Sequence, residues 1–253
     1  MTGMAFSDHF SGHAAAYADA RPAYPPALFA WLSAQCRGHA RAWDAGCGNG
    51  QASLALVEHF DAVFGSDPSA AQIANAPAHP RIRYAVEAAE RCSLADRSAD
   101  LVTVAQAYHW FDHPRFCAEA TRVLVPDGVI ALWSYAESRV DAGVDALFDE
   151  LHNVRLADDW PAGREHVVNR YRELPFPFAR LATPPFDMRC EWTLVQYLAY
   201  LRSWSACQRH LQRTGRDAVG EITPAITAAW GDPQARRLVQ WPLLVLAGRN
   251  RPE

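Results

Sequence analysis

The sequence predicts an α/β protein built on a mostly parallel, doubly wound sheet with helices on both faces. Two observations favour this class. Short apolar segments alternate with amphipathic helical segments between residues 41 and 135. A glycine-rich turn, Gly46 to Gly50, directly follows the first apolar segment. In open α/β sheets, that turn lies at the edge where ligands bind.

Each element in this alternation follows from composition and periodicity. Five strands are predicted, at residues 41–44, 62–66, 82–86, 101–106 and 129–135. Helices are predicted at residues 27–35, 49–60, 68–76 and 114–124. Pro25 and Pro26 suit the start of the first helix. A Pro-Asp-Gly run predicts a turn at residues 125–128, before the fifth strand.

The second half of the chain does not continue the regular alternation of strands and helices. Residues 141–171 are helix-rich and charged, and further helices are predicted at 193–210 and 217–230. Strands are predicted at 186–192 and 237–247, and Pro242 places the last one at an edge or a bulge. We divide the chain into N-terminal cap helices (1–40) over the ligand site and a binding domain (41–253). Within that domain, residues 138–185 form a candidate helical lid insertion, because they are long for a connection.

Composition argues against several classes of partner. The net charge is −4 at pH 7, so no general positive field attracts nucleic acid or an anionic membrane. The mean hydropathy is −0.18, and no apolar run approaches a membrane span. Six cysteines without a CxxC pair are typical of reduced thiols, so we expect a cytoplasmic protein. The sequence leaves the oligomeric state open.

The glycine turn reads DAGCGNGQ from Asp44, which differs from the GxGxxG of dinucleotide-binding proteins. Glycines allow left-handed backbone angles and close approach of a ligand. An aspartate at the entrance repels a pyrophosphate but attracts an ammonium group. The turn therefore suits a cofactor with a positive amine and no phosphates, such as S-adenosylmethionine (SAM).

A second acidic residue, Asp67, ends the second predicted strand. At this place in dinucleotide-binding folds a carboxylate accepts the ribose hydroxyls. The alternative interpretation is that Asp67 caps the helix at residues 68–76. The ordered set of strand, glycine turn, helix, strand and acid is more specific than any single part of it.

Through these motifs the chain resembles the class I SAM-dependent methyltransferases. The resemblance rests on DAGCGNGQ, GSDPS, the AERCSL segment and EATRVLVPDGVIALW. YADARPAYP and AQAYHWFD are similar to a small-molecule subgroup, methyltransferase type 11, that includes trans-aconitate-type enzymes. The resemblance covers residues 5–135 well. It implies a Rossmann-like, seven-stranded sheet, SAM as cofactor with S-adenosylhomocysteine as product, and a small-molecule substrate, for which a carboxylate oxygen is a candidate methyl acceptor.

The resemblance also implies cofactor-binding roles for individual residues. Asp44, Gly46 and Gly48 are expected at the methionine part, Asp67 at the ribose and Pro68 beside the adenine. Ala89 and Glu90 are expected at the adenine edge, although Arg91 and Cys92 depart from the family pattern there. Gln106 is expected near the reactive end of the cofactor.

The methyl acceptor is expected beside Tyr108, His109 and Trp110, just past the fourth strand. His109 is a candidate catalytic residue, as a general base or an acceptor-orienting group, and Trp110 is a candidate to face the sulfonium. The alternative is that these aromatic residues only pack. His109 and His113 have helical i,i+4 spacing, but without a third ligand no metal site is expected.

Tyr17, Arg21 and Tyr24 precede the sheet and are candidates to fold over the cofactor. Arg21 suits a bidentate contact with the carboxylate of the cofactor or of a substrate. The alternative for Arg21 is an ordinary surface arginine before a proline turn.

Two other functions remain open from the sequence. One is a nicotinamide oxidoreductase, which the glycine spacing and Asp44 disfavour. The other is a SAM-binding regulator or partner subunit without catalysis. Nucleic-acid methylation is disfavoured, because AQAYHW stands where an NPPY-like or Pro-Cys motif is expected.

Overall fold

The computed structural model describes residues 22–251. Tyr17, Arg21 and most of the predicted N-terminal cap lie outside the described residues. Helix α1 (Pro26–Gln35) comes first, with proline at its first position. The alternating half then contains these strands and helices: β1 (Arg41–Ala45), α2 (Gln51–Leu56), β2 (Ala62–Asp67), α3 (Ala70–Ala74), β3 (Ile82–Val86), β4 (Ala99–Ala105), α4 (His113–Val123) and β5 (Leu124–Ser134). A 3₁₀ turn, Tyr108–Trp110, lies between β4 and α4.

The second half is helical between its strands. Its elements are α5 (Ala142–Glu150), a π-helical turn (Leu151–Arg155), a 3₁₀ turn (Ala157–Asp159), α6 (Arg164–Val168), β6 (Ala179–Arg180), β7 (Phe186–Trp192), α7 (Leu194–Arg202), α8 (Ser205–Thr214), α9 (Ala218–Trp230) and β8 (Arg237–Arg249). In the described part of the chain, no helix combines the length and the apolar character that crossing a membrane requires.

The sheet has the order β3-β2-β1-β4-β5-β8-β6. The first five strands are parallel, and β8 runs antiparallel to β5. Strand β7 also pairs with β8, in nearly the same register as β6, because Arg180 pairs with Gly248 and Phe186 with Leu243. We therefore interpret β6 and β7 as one edge strand interrupted by Pro184 and Pro185. The predicted fold class, a mostly parallel sheet seven strands wide, is confirmed.

Two predicted boundaries are wrong for identifiable reasons. The turn predicted at residues 125–128 is a bulge within β5: Leu124 pairs with Ala99, and pairing resumes at Val129 after a register shift. Asp127 has a φ of 63° in this bulge, which suits the local Pro-Asp-Gly chemistry. The helix predicted at 193–210 is two helices, because the chain is extended at Trp204 between α7 and α8.

Pro242 lies within β8 rather than at the edge of the whole sheet. On one side it pairs with Asp187 of β7. On the other side, pairing with β5 ends at Leu244, and the next bridge joins Gln240 to Arg139. The missing N–H of Pro242 thus coincides with a gap in the ladder, as its position in the sequence predicts.

The sheet lies between two apolar cores. One core joins α1 and α2 to helices of the second half, and it includes Phe29, Trp133 and Trp241. The other lies under α4 and includes Trp43 and Phe116. Since β1 is central and the strand order reverses between β1 and β4, the carboxyl ends of these strands border the crevice in which open α/β sheets bind ligands.

Candidate active site

The glycine turn after β1 has the backbone conformation that its glycines predict. Gly46 and Gly48 have φ angles of +67° and +54°, in the left-handed region. A Cβ on Gly46 would lie 2.7 Å from the Cβ of Ala107, so this turn packs directly against the loop after β4. A Cβ on Gly48 would meet nothing closer than 3.9 Å, so its outer face is open.

Asp67 links the end of β2 to this turn. One carboxylate oxygen accepts the backbone N–H of Gly48 at 2.9 Å, and the other accepts the N–H of Ser69 at 2.8 Å. The hydroxyl of Ser69, not Asp67, caps α3 by accepting the N–H of Gln72. Asp67 therefore fixes the glycine turn instead of serving as the helix cap that the alternative interpretation proposed.

Asp44 is fully buried at the end of β1. Its carboxylate accepts the hydroxyl of Ser53 at 2.6 Å and that of Thr103 at 3.0 Å. Burial raises the pKa of Asp44 to about 6, and these two hydrogen bonds oppose that shift. Burial penalises the ionised carboxylate, so a positive charge placed beside Asp44 would stabilise its ionised form.

The segment at residues 89–96 is held against α4 by two residues of that helix, Arg122 and Glu119. The Arg122 guanidinium donates to the carbonyls of Leu94 and Cys92 and to the carboxylate of Glu119. Glu119 in turn accepts the N–H of Cys92 at 2.7 Å. The unusual Arg91-Cys92 pair is therefore compatible with a fixed loop, because Arg122 holds the backbone around it.

The residues predicted to contact the adenine are Pro68, Ala89 and Glu90, and they differ in burial. Ala89 is buried, and Pro68 is half-buried. The carboxylate of Glu90 accepts the N–H of Asp112 at 2.8 Å. This contact joins the 89–96 segment to the loop that carries His109.

Gln106 follows β4 with a φ of +57°, which is uncommon for a residue with a side chain. Its backbone N–H donates to the carbonyl of Trp133, and its Nε2 donates to that of Tyr135. Strained backbone held by its surroundings is frequent at functional sites. Here the positive φ of Gln106 redirects the chain from the end of β4 into the 3₁₀ segment Tyr108–Trp110, which lies beside the glycine turn.

A cavity of about 100 Å³, the inner cavity, lies beyond this turn. It is lined by Gln106, His109 and Trp110 from the predicted acceptor segment, and the rest of the wall comes from later parts of the chain: Tyr135, Ala136, Trp160, Pro161, Arg164, Tyr200, Trp204 and Ser205. Tyr108 does not line it. That side chain is 1% exposed, and its hydroxyl donates to the carbonyl of Pro175.

His109 is held in the cavity wall by its Nδ1, 3.1 Å from the hydroxyl of Tyr171. Burial, with a smaller contribution from Arg164, lowers the pKa of His109 to about 3. The imidazole is neutral at ordinary pH and is a weak base. A general base works best with a pKa near the operating pH, so this lowered pKa suits the orienting role better than the general-base role. Trp110 is 38% exposed, with its ring centroid 4.8 Å from that of His109.

Sequence reasoning missed several wall residues, among them Trp160 and Arg164. The Arg164 guanidinium lies 4.7 Å from the centre of the Trp160 ring and donates to the carbonyl of Ala136. The available signal was the sequence DWPAGR, which places a tryptophan, a proline and an arginine together in an otherwise charged segment.

Two further expectations concern the pair His109 and His113 and the N-terminal residue Tyr24. His113 donates from Nε2 to the carbonyl of Tyr108. Within residues 22–251 no group of three or more potential ligands is placed to hold a metal ion. Tyr24 packs edge-on against Trp133, at 5.5 Å between ring centres, so the structure places this ring against the core.

These residues fit SAM. The open face of Gly48 leaves space for the methionine part, and the buried Asp44 supplies a negative charge beside that turn. Asp67 is half-buried at the end of β2, the position that suits a ribose. The inner cavity begins at Gln106, next to Ala107, which contacts the same glycine turn.

Comparisons with known proteins agree with this geometry. Residues 43–132 match the family described as "Methyltransferase domain". A Dictyostelium discoideum protein named as a methyltransferase is 30% identical over 229 residues, covering 89% of this chain and 87% of that protein. A structure from Anaeromyxobacter dehalogenans, described as a type II methyltransferase, has a TM-score of 0.88 and 48% identity over 92% of this chain and 99% of its own. A Saccharomyces cerevisiae protein named as an S-adenosylmethionine-dependent methyltransferase is 30% identical over 153 residues, which is 57% of this chain and 51% of that protein.

Proposed function

Because this chain belongs to the class I SAM-dependent methyltransferases, we propose that it methylates a small molecule bound in the inner cavity, on a carboxylate oxygen. The nicotinamide oxidoreductase alternative is wrong, since the family is a methyltransferase family. The observation that carries the proposal is the contact between Gly46 and Ala107. It joins the glycine turn to the residues that line the cavity.

Different residues of the site have different roles in this proposal. Asp44, Gly46 and Gly48 hold the methionine part of SAM, Asp67 the ribose, and Pro68, Ala89 and Glu90 the adenine. SAM, when bound, supplies an electrophilic methyl group that the acceptor oxygen takes by direct displacement with its own electron pair. Gln106 and His109 orient the acceptor, so that alignment supplies much of the rate acceleration. The segment at 138–185 acts as the lid, because Trp160, Pro161 and Arg164 of the cavity wall belong to it.

Two features of the cavity support a carboxylate as acceptor. Arg164 places a guanidinium in the wall, a group that suits carboxylate recognition. A carboxylate is also already deprotonated and needs no general base, which agrees with the low pKa of His109. An acceptor that must lose a proton during transfer needs a stronger base than this imidazole.

The test has two stages. Calorimetric titration with SAM and with S-adenosylhomocysteine is expected to give micromolar binding of both, and absence of binding contradicts the cofactor assignment. A panel of carboxylic acids is then incubated with SAM, and methyl esters are measured by mass spectrometry. Arg164→Gln is expected to raise the KM for the acid at least tenfold.

The matched control for this second stage is Arg155→Gln. Arg155 belongs to the same helical segment but forms surface ion pairs with Glu150 and Glu221. Its replacement is expected to leave the KM unchanged. Methylation of amines or phenols, with no ester formed from any acid, contradicts the carboxylate assignment and leaves the methyltransferase assignment intact.

A further inference from the structure

A second cavity adjoins the inner cavity at Trp160. This outer cavity has a volume of about 440 Å³, and it shares three wall residues with the inner cavity: Trp160, Pro161 and Arg164. The two cavities are therefore neighbours, separated by one short segment of the chain.

The inner cavity is small for a complete methyl acceptor. Its volume of about 100 Å³ is below the roughly 150 Å³ that accommodates a benzene molecule in an engineered protein cavity. Ligand pockets usually measure about 300–1,000 Å³, a range that the outer cavity reaches by itself. The reacting end of an acceptor fits in the inner cavity, and the remainder needs a second space.

The partition between the cavities is fixed on several sides. Trp160 donates from Nε1 to the carbonyl of His152 at 3.0 Å, and its ring lies 5.5 Å from that of Trp204. The preceding residue, Asp159, is buried and accepts hydrogen bonds from His210 and Arg213 of α8. Trp160 is thus a fixed part of the wall that both cavities share with Arg164.

The side chains that line the outer cavity carry almost no net charge. Its charged side chains among the described residues are Arg164 and Glu165, which have opposite signs. His152 accepts from Arg164 at Nε2 and donates from Nδ1 to Asn153, and burial lowers the pKa of His152, so this ring is neutral. Val168, which is 52% exposed, adds an apolar surface. An uncharged group is the best match for this lining.

We propose that the outer cavity is a second acceptor subsite, and that the acceptor is an elongated monocarboxylate whose carboxylate lies beside Arg164 and whose uncharged tail occupies the outer cavity. This inference rests on the proposed function and narrows its substrate class. Trp160 is then a specificity-determining residue, because its side chain borders both the inner and the outer cavity.

The experiment uses straight-chain monocarboxylates from acetate to octanoate as probes. Each is titrated into the whole chain by calorimetry, with and without S-adenosylhomocysteine. Burial of each additional CH₂ strengthens binding by about fourfold. Octanoate is therefore expected to bind at least tenfold more tightly than butyrate. Ala162→Phe, which places a bulky ring at the wall of the outer cavity, is expected to reduce this advantage to less than threefold and to leave butyrate binding unchanged.

Ala225→Phe is the matched control, because Ala225 is exposed on α9 and lines neither cavity. It is expected to keep the full octanoate advantage. The subsite is overturned if octanoate has no advantage in the original protein, if the advantage survives in Ala162→Phe, or if no acid binds. Failure of the proposed function is separate, because it appears as absence of SAM and S-adenosylhomocysteine binding in titrations without any acid.

Discussion

The carboxylate of Asp67 accepts the backbone N–H of Gly48 at a distance of 2.9 Å. The family resemblance assigns Asp67 to the ribose and Gly48 to the methionine part of the cofactor, as two separate contacts. In the structure they form one hydrogen-bonded unit that joins the end of β2 to the turn after β1. A change at Asp67 should therefore affect both parts of the cofactor.

Replacement of Asp67 tests this unit. We expect Asp67→Ala to weaken binding of S-adenosylhomocysteine by more than tenfold, because it removes the ribose acceptor and releases the N–H of Gly48. Calorimetry gives the affinity. Asp61→Ala is the control, since Asp61 is an exposed carboxylate just before the same strand. Equal affinities in the two variants would remove the ribose assignment.

Gly48→Ala is expected to interfere with cofactor binding without disrupting the fold. The added methyl has no protein atom closer than 3.9 Å, but it enters the space assigned to the methionine part. The positive φ costs about 1 kcal/mol of unfolding free energy. Gly215→Ala is matched, because Gly215 also has a positive φ and nothing within 4 Å. Denaturation should show similar losses, whereas calorimetry should show weaker binding only for Gly48→Ala.

Asp44 gives a pH dependence with a defined sign. Its pKa is about 6 in the folded protein and 3.8 for an unperturbed aspartate, so the folded state binds more protons between pH 4 and pH 6. Stability from this group is therefore lost as the pH rises through that window, by about 3 kcal/mol at most. Asp44→Asn should remove this loss, since the hydroxyls of Ser53 and Thr103 can rotate to suit the amide.

Denaturant unfolding at pH 4, 5, 6 and 7 measures this difference. A parallel pH dependence in Asp44→Asn would show that Asp44 does not titrate in the window. Binding of a cofactor amine beside Asp44 favours the ionised carboxylate, so we also expect proton release on SAM binding near pH 5. Calorimetry in buffers with different ionisation enthalpies detects such release.

His109 is expected to act without changing its charge. Because its pKa is lowered to about 3, the imidazole stays neutral from pH 5 to pH 8. His109→Ala should lower kcat about tenfold with a smaller change in the acceptor KM, because alignment of the acceptor lowers the barrier of the transfer step. The dependence of kcat/KM on pH should have the same shape in the original protein and in His109→Ala. A limb near pH 6.5 that His109→Ala abolishes would restore the general-base role.

Arg122 is expected to support the adenine side from a distance. Arg122→Met removes the donors to the carbonyls of Cys92 and Leu94, so the 89–96 segment loses two of its hydrogen bonds to α4 and keeps the one from the N–H of Cys92 to Glu119. Binding of S-adenosylhomocysteine and of adenosine should weaken by the same factor, about tenfold. Arg115→Met is the control on the same helix, because Arg115 is an exposed residue that forms a surface ion pair with Asp112. Equal adenosine affinity in both variants would contradict this positioning role.

Part of the site was readable from local pattern. The glycine turn, Asp44 and Asp67 follow strands directly, and parallel strands bring their carboxyl ends to one edge of the sheet. The predicted strand 82–86 is reproduced as β3, and the predicted strand 186–192 is reproduced as β7. The bulge at Asp127 was missed, because a Pro-Asp-Gly run has the same local chemistry in a bulge and in a turn.

Local sequence was enough to establish the alternating fold, the glycine turn, its two carboxylates and the family, because each depends on residues close together along the chain. The rest depends on how the chain packs in three dimensions. Trp160, Arg164 and Trp204 meet His109 across separations of about fifty residues or more, and no local periodicity specifies such contacts. The burial that makes His109 a weak base also arises from those distant segments, so its role depends on packing rather than on sequence spacing.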